Sequence, residues 1–124
     1  MHRSTVIAIV LPALGAMLLA AQPARAAEYG AIAWDKETGK YGAGWKQPTQ
    51  KRADEVAVSE CGTSGCKVVK QIGPKMCGAL ALSENGKKAG AAFRKDRDAA
   101  RVAALQACPK EAGECIVRVA DCNK

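Results

Sequence analysis

Histidine is almost absent from this chain of 124 residues, since the one histidine is His2, at the amino terminus. The region after residue 26 therefore has no imidazole for a Ser-His-Asp arrangement or for a histidine metal ligand. Cysteine pairs separated by two residues, which are typical of thioredoxin-type redox motifs and of zinc sites, are also missing. We therefore expect no metal and no cofactor in this region.

The first 26 residues have the pattern of a secretory signal peptide. A short basic start precedes an apolar run at 5–21, and Ala24 and Ala26 are the small residues that a signal peptidase reads. The run contains a proline and is shorter than the roughly 20 residues that a spanning helix needs. A lipoprotein would require a cysteine directly after the cleavage site, and the residue there is Ala27. We expect cleavage after Ala26 and a periplasmic or secreted protein without a membrane anchor.

The remaining segment, 27–124, has the length of one ordinary domain. It carries 17 Lys and Arg residues against 12 Asp and Glu residues, and the basic residues are spread along the chain. A solvated, soluble surface is the ordinary explanation for such a mild excess, and contact with an anionic envelope polymer is the alternative. We expect a monomer.

The segment contains an internal duplication. Ala31 aligns with Ala79, and at an offset of 47 residues Thr49 aligns with Asp96 and Cys61 with Cys108. The same order of turn, cap and cysteine signals recurs in both halves, which is typical of a duplicated unit. The repeats span about 29–78 and 79–124.

Each repeat predicts a strand, a second strand, a helix and a third strand. Glycine-bearing turns at 36–39 and 84–86 separate the first two strands. Thr49 and Asp96 are placed to cap the helices, whose buried stripe is mostly alanine. We predict an α+β fold in which two ββαβ repeats form one antiparallel sheet with two helices packed on one face, stapled by disulfides. Strand order stays open.

Six cysteines follow the signal peptide, and an even number in an exported domain indicates disulfides. Fifteen pairings are possible for six cysteines, but the duplication limits them because equivalent cysteines should form equivalent bonds. Redox catalysis is an alternative role that the wide cysteine spacing disfavours. We predict a local clasp in each repeat and a third bond across the halves: Cys61 with Cys66, Cys108 with Cys115, and Cys77 with Cys122.

Several segments carry a resemblance to a known family. They are Tyr29-Gly30-Ala31-Ile32-Ala33, Cys77-Gly78-Ala79-Leu80-Ala81, and Ala104-Leu105-Gln106-Ala107-Cys108 with the later Cys115 and Cys122. Together with the cysteine framework, they resemble the bacterial domain-of-unknown-function family 4189 over essentially all of 27–124. The resemblance implies a small exported protein and brings no established activity with it.

Two groups of side chains are candidates for a binding surface. Trp34 and Tyr41 lie on predicted neighbouring strands and could form a pair of aromatic anchors. Lys87, Lys88 and Arg94 are a basic group that could add electrostatic attraction. Core packing of the rings and a solvated charged turn are the ordinary explanations for the same residues.

The leading hypothesis for function is a non-catalytic binding or inhibitory module of the bacterial envelope. Its partner would be a protein or an anionic envelope polymer. Nucleic acid is disfavoured because, of the aromatic residues, only Phe93 lies among the basic side chains. The alternative is an envelope enzyme that uses carboxylates such as those of Asp35 and Glu84.

Overall fold

The computed structural model describes residues 27–124, so the predicted signal peptide lies outside the described residues. No helix within 27–124 is both long enough and apolar enough to cross a membrane. The elements are β1 (Tyr29–Trp34), β2 (Tyr41–Gln47), α1 (Gln50–Cys61), β3 (Lys67–Ile72), β4 (Cys77–Ser83), β5 (Ala89–Arg94), α2 (Arg97–Ala107) and β6 (Cys115–Cys122), with a 3-10 turn at Lys110–Ala112.

The strands form two antiparallel sheets of three strands each. The first has the order β2-β1-β3 and the second the order β5-β4-β6, so both halves use the same arrangement. The α+β class is confirmed, whereas the prediction of one continuous sheet is wrong. Within 27–124, no strand of one sheet pairs with a strand of the other, because the three strands of each half form a separate sheet.

The two sheets pack face to face, and a helix covers the outer face of each. Ile32 and Leu80 point from the central strands into the layer between the sheets, together with Ile72 and Leu82. Alanines on the opposite faces of the same strands pack against α1 in one half and α2 in the other. The helices therefore lie on opposite sides of the molecule. The prediction that both pack on one face is wrong. The side chains on both faces of β1 and β4 are small or apolar, so each face must pack against another element.

Small residues let each helix lie very close to its sheet. A Cβ atom added to Gly42 on β2 would lie 2.2 Å from the Cys61 backbone nitrogen in α1. A Cβ atom on Gly90, at the equivalent place on β5, would lie 2.2 Å from the Ala104 carbonyl oxygen in α2. The fully buried Ala57 of α1 continues the contact, in agreement with the close approach expected from the alanine stripe.

The helices begin where the sequence predicts. The Thr49 side chain accepts a hydrogen bond from the Arg52 backbone N–H at 3.1 Å, and the Asp96 side chain accepts one from the Ala99 N–H at 3.0 Å. Each bond satisfies one of the amide groups that a first helical turn leaves free. Helix α1 ends at Gly62, which adopts a left-handed conformation with φ of 84°.

Three disulfides form, with the same pairs that the sequence predicts. The two clasps join the end of each helix to the strand that follows it. The third bond differs from the prediction in its placement, because Cys77 begins β4 and pairs in register with Cys122 of β6. It therefore staples two strands of the second sheet and does not connect the halves.

Noncovalent contacts hold the halves together at both ends. At one end, the Trp34 indole Nε1 donates a hydrogen bond to the Gly86 carbonyl at 2.8 Å. At the other end, Asn123 is 2% exposed and its Nδ2 donates to the carbonyls of Ile72 and Gly73, each at 3.0 Å. These bonds fix the position of the first half relative to the second.

Candidate functional site

A shallow cavity of about 310 Å³ lies where the two hairpin turns meet, and we call it the turn groove. Its lining comes from the first turn, the start of β2, the end of β4, the second turn and β6. The residues are Thr38, Gly39, Tyr41, Leu82, Ser83, Glu84, Asn85, Gly86 and Arg118. Both hairpin turns, which the sequence predicts from their glycines, therefore contribute to one surface.

The turns that form this groove are tightly fixed. Gly39 and Gly86 have φ of 75° and 73°, and a Cβ atom on Gly86 would lie 2.7 Å from the Gly39 Cα. Only glycine fits such a contact between two left-handed backbone positions. The hydrogen bond from Trp34 to Gly86 adds a second link between the turns. The groove is thus a preformed feature of the fold.

The two predicted aromatic anchors have different environments. Trp34 and Tyr41 lie opposite each other on β1 and β2, as expected for a pair on one face. Trp34 is half-buried in the layer between the sheets, where it packs against the buried cluster of Ile32 and Leu80, and its indole N–H donates to the Gly86 carbonyl. Tyr41 is 39% exposed and lines the groove. Trp34 therefore has a structural role, and Tyr41 is the ring that is available to a partner.

Two residues close to the turn groove were not predicted as site residues from the sequence. Arg118 is exposed on β6, lines the groove, and takes part in none of the three ion pairs found within 27–124. Ile116 is 45% exposed and lies in register with Leu82, a lining residue. The sequence could have indicated Arg118 as a site residue, because it is the single charged residue in the predicted strand 116–120.

The predicted basic group is divided by the fold. Lys87 and Lys88 are exposed on the second turn, beside the groove. Arg94 is at the far end of β5, a separation of six residues or about 20 Å along an extended strand. The Arg94 guanidinium donates to the neighbouring Phe93 carbonyl at 2.7 Å. Lys87 and Lys88 therefore lie near the turn groove, and Arg94 lies far from it.

Asp35 is a buried carboxylate that fixes the first turn. It accepts hydrogen bonds from the Thr63 hydroxyl at 2.6 Å, the Glu37 backbone N–H at 2.9 Å and the Thr38 hydroxyl at 2.9 Å. The Thr63 bond, followed by the Glu37 bond, lowers the pKa of Asp35 below its ordinary value. These partners occupy the carboxylate, and Asp35 does not line the groove, whereas Glu84 does.

No group of three or more His, Cys, Asp or Glu side chains within the described segment is arranged to hold a metal ion. The six cysteines of that segment are all engaged in disulfides. The lining of the turn groove therefore offers a tyrosine ring, a guanidinium group, a carboxylate, two hydroxyl groups, a side-chain amide and backbone polar groups.

A second and larger cavity, of about 940 Å³, lies at the opposite end of the sheets, and we call it the lysine groove. It is formed by the two residues before β1, the end of β2 with the proline after it, the loop before β4 and the residues after β6. The lining residues are Ala27, Glu28, Lys46, Gln47, Pro48, Pro74, Lys75, Asn123 and Lys124. None of them was predicted as a site residue from the sequence.

The chain is similar to uncharacterized mycobacterial proteins. Protein Rv1269c of Mycobacterium tuberculosis is 39% identical over 62 residues, which cover 50% of this chain and 48% of that protein. Uncharacterized protein Rv1813c of the same species is 45% identical over 60 residues, which cover 48% of this chain and 38% of that protein. The chain therefore matches about half or less of the length of these curated relatives.

The fold has a solved counterpart. The NMR structure of Rv1813c from Mycobacterium tuberculosis superposes with a TM-score of 0.57 at 24% sequence identity, covering 99% of this chain and 95% of that chain. This likeness shows a shared fold. A family model with the description "Domain of unknown function (DUF4189)" matches residues 29–122, which confirms the resemblance noted in the sequence. The chain belongs to the DUF4189 family.

Proposed function

We propose that this domain is an exported, non-catalytic binding module that holds a partner protein at the turn groove. One observation carries the proposal: the exposed Tyr41 lines one groove with Arg118, which belongs to no ion pair within 27–124. Two turns joined by the Trp34–Gly86 hydrogen bond form this groove. Tyrosine and arginine are enriched among the residues that dominate binding energy at protein interfaces.

Rigidity of the groove supports this proposal. A partner does not have to order the turns, since the Gly39–Gly86 contact and the Trp34 bond already hold them. Association then loses less conformational freedom than it would with a mobile loop. The pair of disulfide clasps further limits the motion of the segments behind the sheets.

The charge around the groove favours a partner with an acidic patch. Arg118 lines the groove with Tyr41, and Glu84 is the acidic residue in the lining. Lys87 and Lys88 are exposed on the second turn, directly after the lining residue Gly86. Charges at the rim of an interface mainly raise the association rate and make it sensitive to salt. Ile116 would extend the contact with an apolar side chain.

Two features support export of the protein, the pattern of its amino terminus and its disulfides. The signal-peptide pattern at 1–26 would direct the chain out of the cytoplasm. Three disulfides in a domain of this size fit an oxidising compartment. The intact mass of the protein in the periplasmic or culture fraction should correspond to a chain that begins at Ala27.

The test is affinity capture from the envelope fraction with the oxidised protein, followed by titration of the identified partner. Tyr41→Ala should weaken binding by about 2 kcal/mol, or roughly thirtyfold in Kd. Val58→Ala is the matched control, because Val58 has a similar exposure of 37% but lies on α1. Replacing Lys87 and Lys88 with glutamine should lower the association rate and flatten its salt dependence.

Two outcomes would contradict the proposal. One is a partner that binds Tyr41→Ala and wild type equally well. The other is turnover of an envelope substrate that survives Tyr41→Ala and disappears when Glu84 is replaced by glutamine, which would support the enzyme alternative. Thermal unfolding of each variant separates lost binding from lost folding.

A further inference from the structure

The lysine groove contains two backbone positions of unusual conformation. Within the described segment, Lys46 and Lys75 are the two residues other than glycine with a positive φ, at 55° and 63°. Both line the same cavity. Left-handed backbone at residues other than glycine and asparagine is uncommon and tends to cluster at functional sites.

Lys75 stands in a turn where glycine is the expected residue. The Met76 N–H donates to the Gly73 carbonyl at 3.3 Å, which closes a turn with Pro74 second and Lys75 third. A turn with proline second and a positive φ third has the pattern of a type II turn, which favours glycine at the third position. A lysine at this place makes the turn less stable than glycine would.

Lys46 stands at an irregularity that the fold does not require. The β1–β2 pairing shifts register between Tyr29 and Ala31, opposite the segment of β2 that contains Lys46. The equivalent β4–β5 pairing in the second half is continuous, so the same topology forms without the shift. Bulges of this kind redirect side chains and are frequent next to binding sites.

A single buried side chain supports both irregular positions. The Asn123 Oδ1 accepts a hydrogen bond from the Lys46 backbone N–H at 3.0 Å. Its Nδ2 donates to the carbonyl of Gly73, and its backbone N–H donates to the carbonyl of Met76, on either side of Lys75. Asn123 thus fixes the backbone from which both lysine side chains extend.

The two ammonium groups have no acidic partner in the described segment. Neither Lys46 nor Lys75 belongs to an ion pair found within 27–124. Lys124 adds a third ammonium group, which donates to the Lys95 carbonyl, and Glu28 is the acidic residue of the lining. The lining therefore has more basic than acidic side chains.

We propose that the lysine groove binds a short acidic peptide segment of a partner protein. Two carboxylates of the peptide pair with Lys46 and Lys75, and an apolar residue of the peptide packs on the rings of Pro48 and Pro74. The prolines favour a peptide, because a phosphate polymer has no apolar group to place against them. The volume of the cavity lies within the range of about 300–1,000 Å³ that is typical of ligand sites.

The probe is an array of hexapeptides that carry two acidic residues separated by one to three apolar residues. The oxidised protein should bind a subset of them and should not bind the same peptides with glutamine in place of glutamate. In calorimetric titration with the best peptide, Lys46→Gln and Lys75→Gln should each weaken binding about tenfold, since charge-assisted hydrogen bonds are strong. Lys51→Gln, on the exposed surface of α1, is the matched control and should bind like wild type.

A second pair of variants separates binding from folding. Lys46→Gly and Lys75→Gly should unfold at the same or a higher temperature than wild type, because glycine suits a positive φ, and should still lose peptide binding. A lower unfolding temperature for both would mean that the lysines serve the fold, and would overturn the proposal. So would lysine-dependent binding of inorganic polyphosphate with no binding of any acidic peptide.

This proposal is independent of the turn groove. The two grooves lie at opposite ends of the sheets, about 20 Å apart along β1. Tyr41→Ala should therefore leave peptide binding unchanged. If Tyr41→Ala abolished it, both ligands would use one surface and the lysine groove would not be the site.

Discussion

Gly42 is the position at which the close packing of helix on sheet can be tested most directly. It lies on β2 beneath the end of α1, and alanine would place its Cβ atom 2.2 Å from the Cys61 nitrogen and 2.5 Å from the Ala57 carbonyl oxygen. Ordinary van der Waals contacts of a Cβ atom are 3.4–4 Å long. Both opposing atoms are helix backbone, so the overlap can be relieved only if α1 moves away from the sheet.

The expected cost follows from two opposing effects. Overpacking in a dense core costs about 1–3 kcal/mol, and a clash with backbone belongs at the upper end of that range. Alanine also lowers the conformational entropy of the unfolded chain, which offsets this cost by about 0.4–1 kcal/mol. Gly42→Ala should therefore lower the free energy of unfolding by about 2–2.6 kcal/mol, and the thermal midpoint by on the order of 10 °C.

The measurement is urea unfolding of the oxidised protein followed by circular dichroism. Gly73→Ala is the control, because a Cβ atom there meets nothing within 4 Å and the residue lacks a positive φ. Gly90→Ala repeats the test in the second half, where the new Cβ atom would lie 2.3 Å from the Cys108 nitrogen. If Gly42→Ala were as stable as Gly73→Ala, the close packing described for α1 would be incorrect.

Two further predictions concern the polar contacts of the first hairpin. Trp34→Phe removes the hydrogen bond to Gly86 and should lower the free energy of unfolding by about 1 kcal/mol. Amide hydrogen exchange in the second turn should become faster, and unchanged exchange would argue against the link between the turns. Asp35 has a lowered pKa in the folded state, so its stabilising effect should be full above about pH 4 and lost as the pH falls below that value. Unfolding of wild type and Asp35→Asn at several pH values should show the difference between them shrinking on acidification, and a constant difference would refute this prediction.

Local elements could be predicted from the sequence because their signals are local. A cap is decided by one side chain and the three residues after it, as at Thr49 and Asp96. Glycine marks the hairpin turns because left-handed backbone favours it, as at Gly39 and Gly86. The cysteine pairs followed from the duplication, since a helix end and the next strand are adjacent in each half.

The candidate site could be predicted only in part. Tyr41 was identified as an aromatic residue on the first hairpin, and Lys87 and Lys88 as charges on the second turn. Their proximity to Arg118 depends on how the second sheet lies over the first, which no local pattern encodes. The lysine groove was missed because Lys46 and Lys75 resemble ordinary surface lysines until their backbone angles are known.

The sequence by itself determined the order of elements, their caps and turns, the cysteine pairs and the family. Tertiary structure alone decided that there are two sheets, with their apolar faces in contact and the helices outside. The physical reason is that a strand such as β4, buried on both faces, can be covered by a helix, by another sheet or by one of each. The choice depends on whether Ile32 and Leu80 meet across the molecule, and that contact joins residues far apart in the chain.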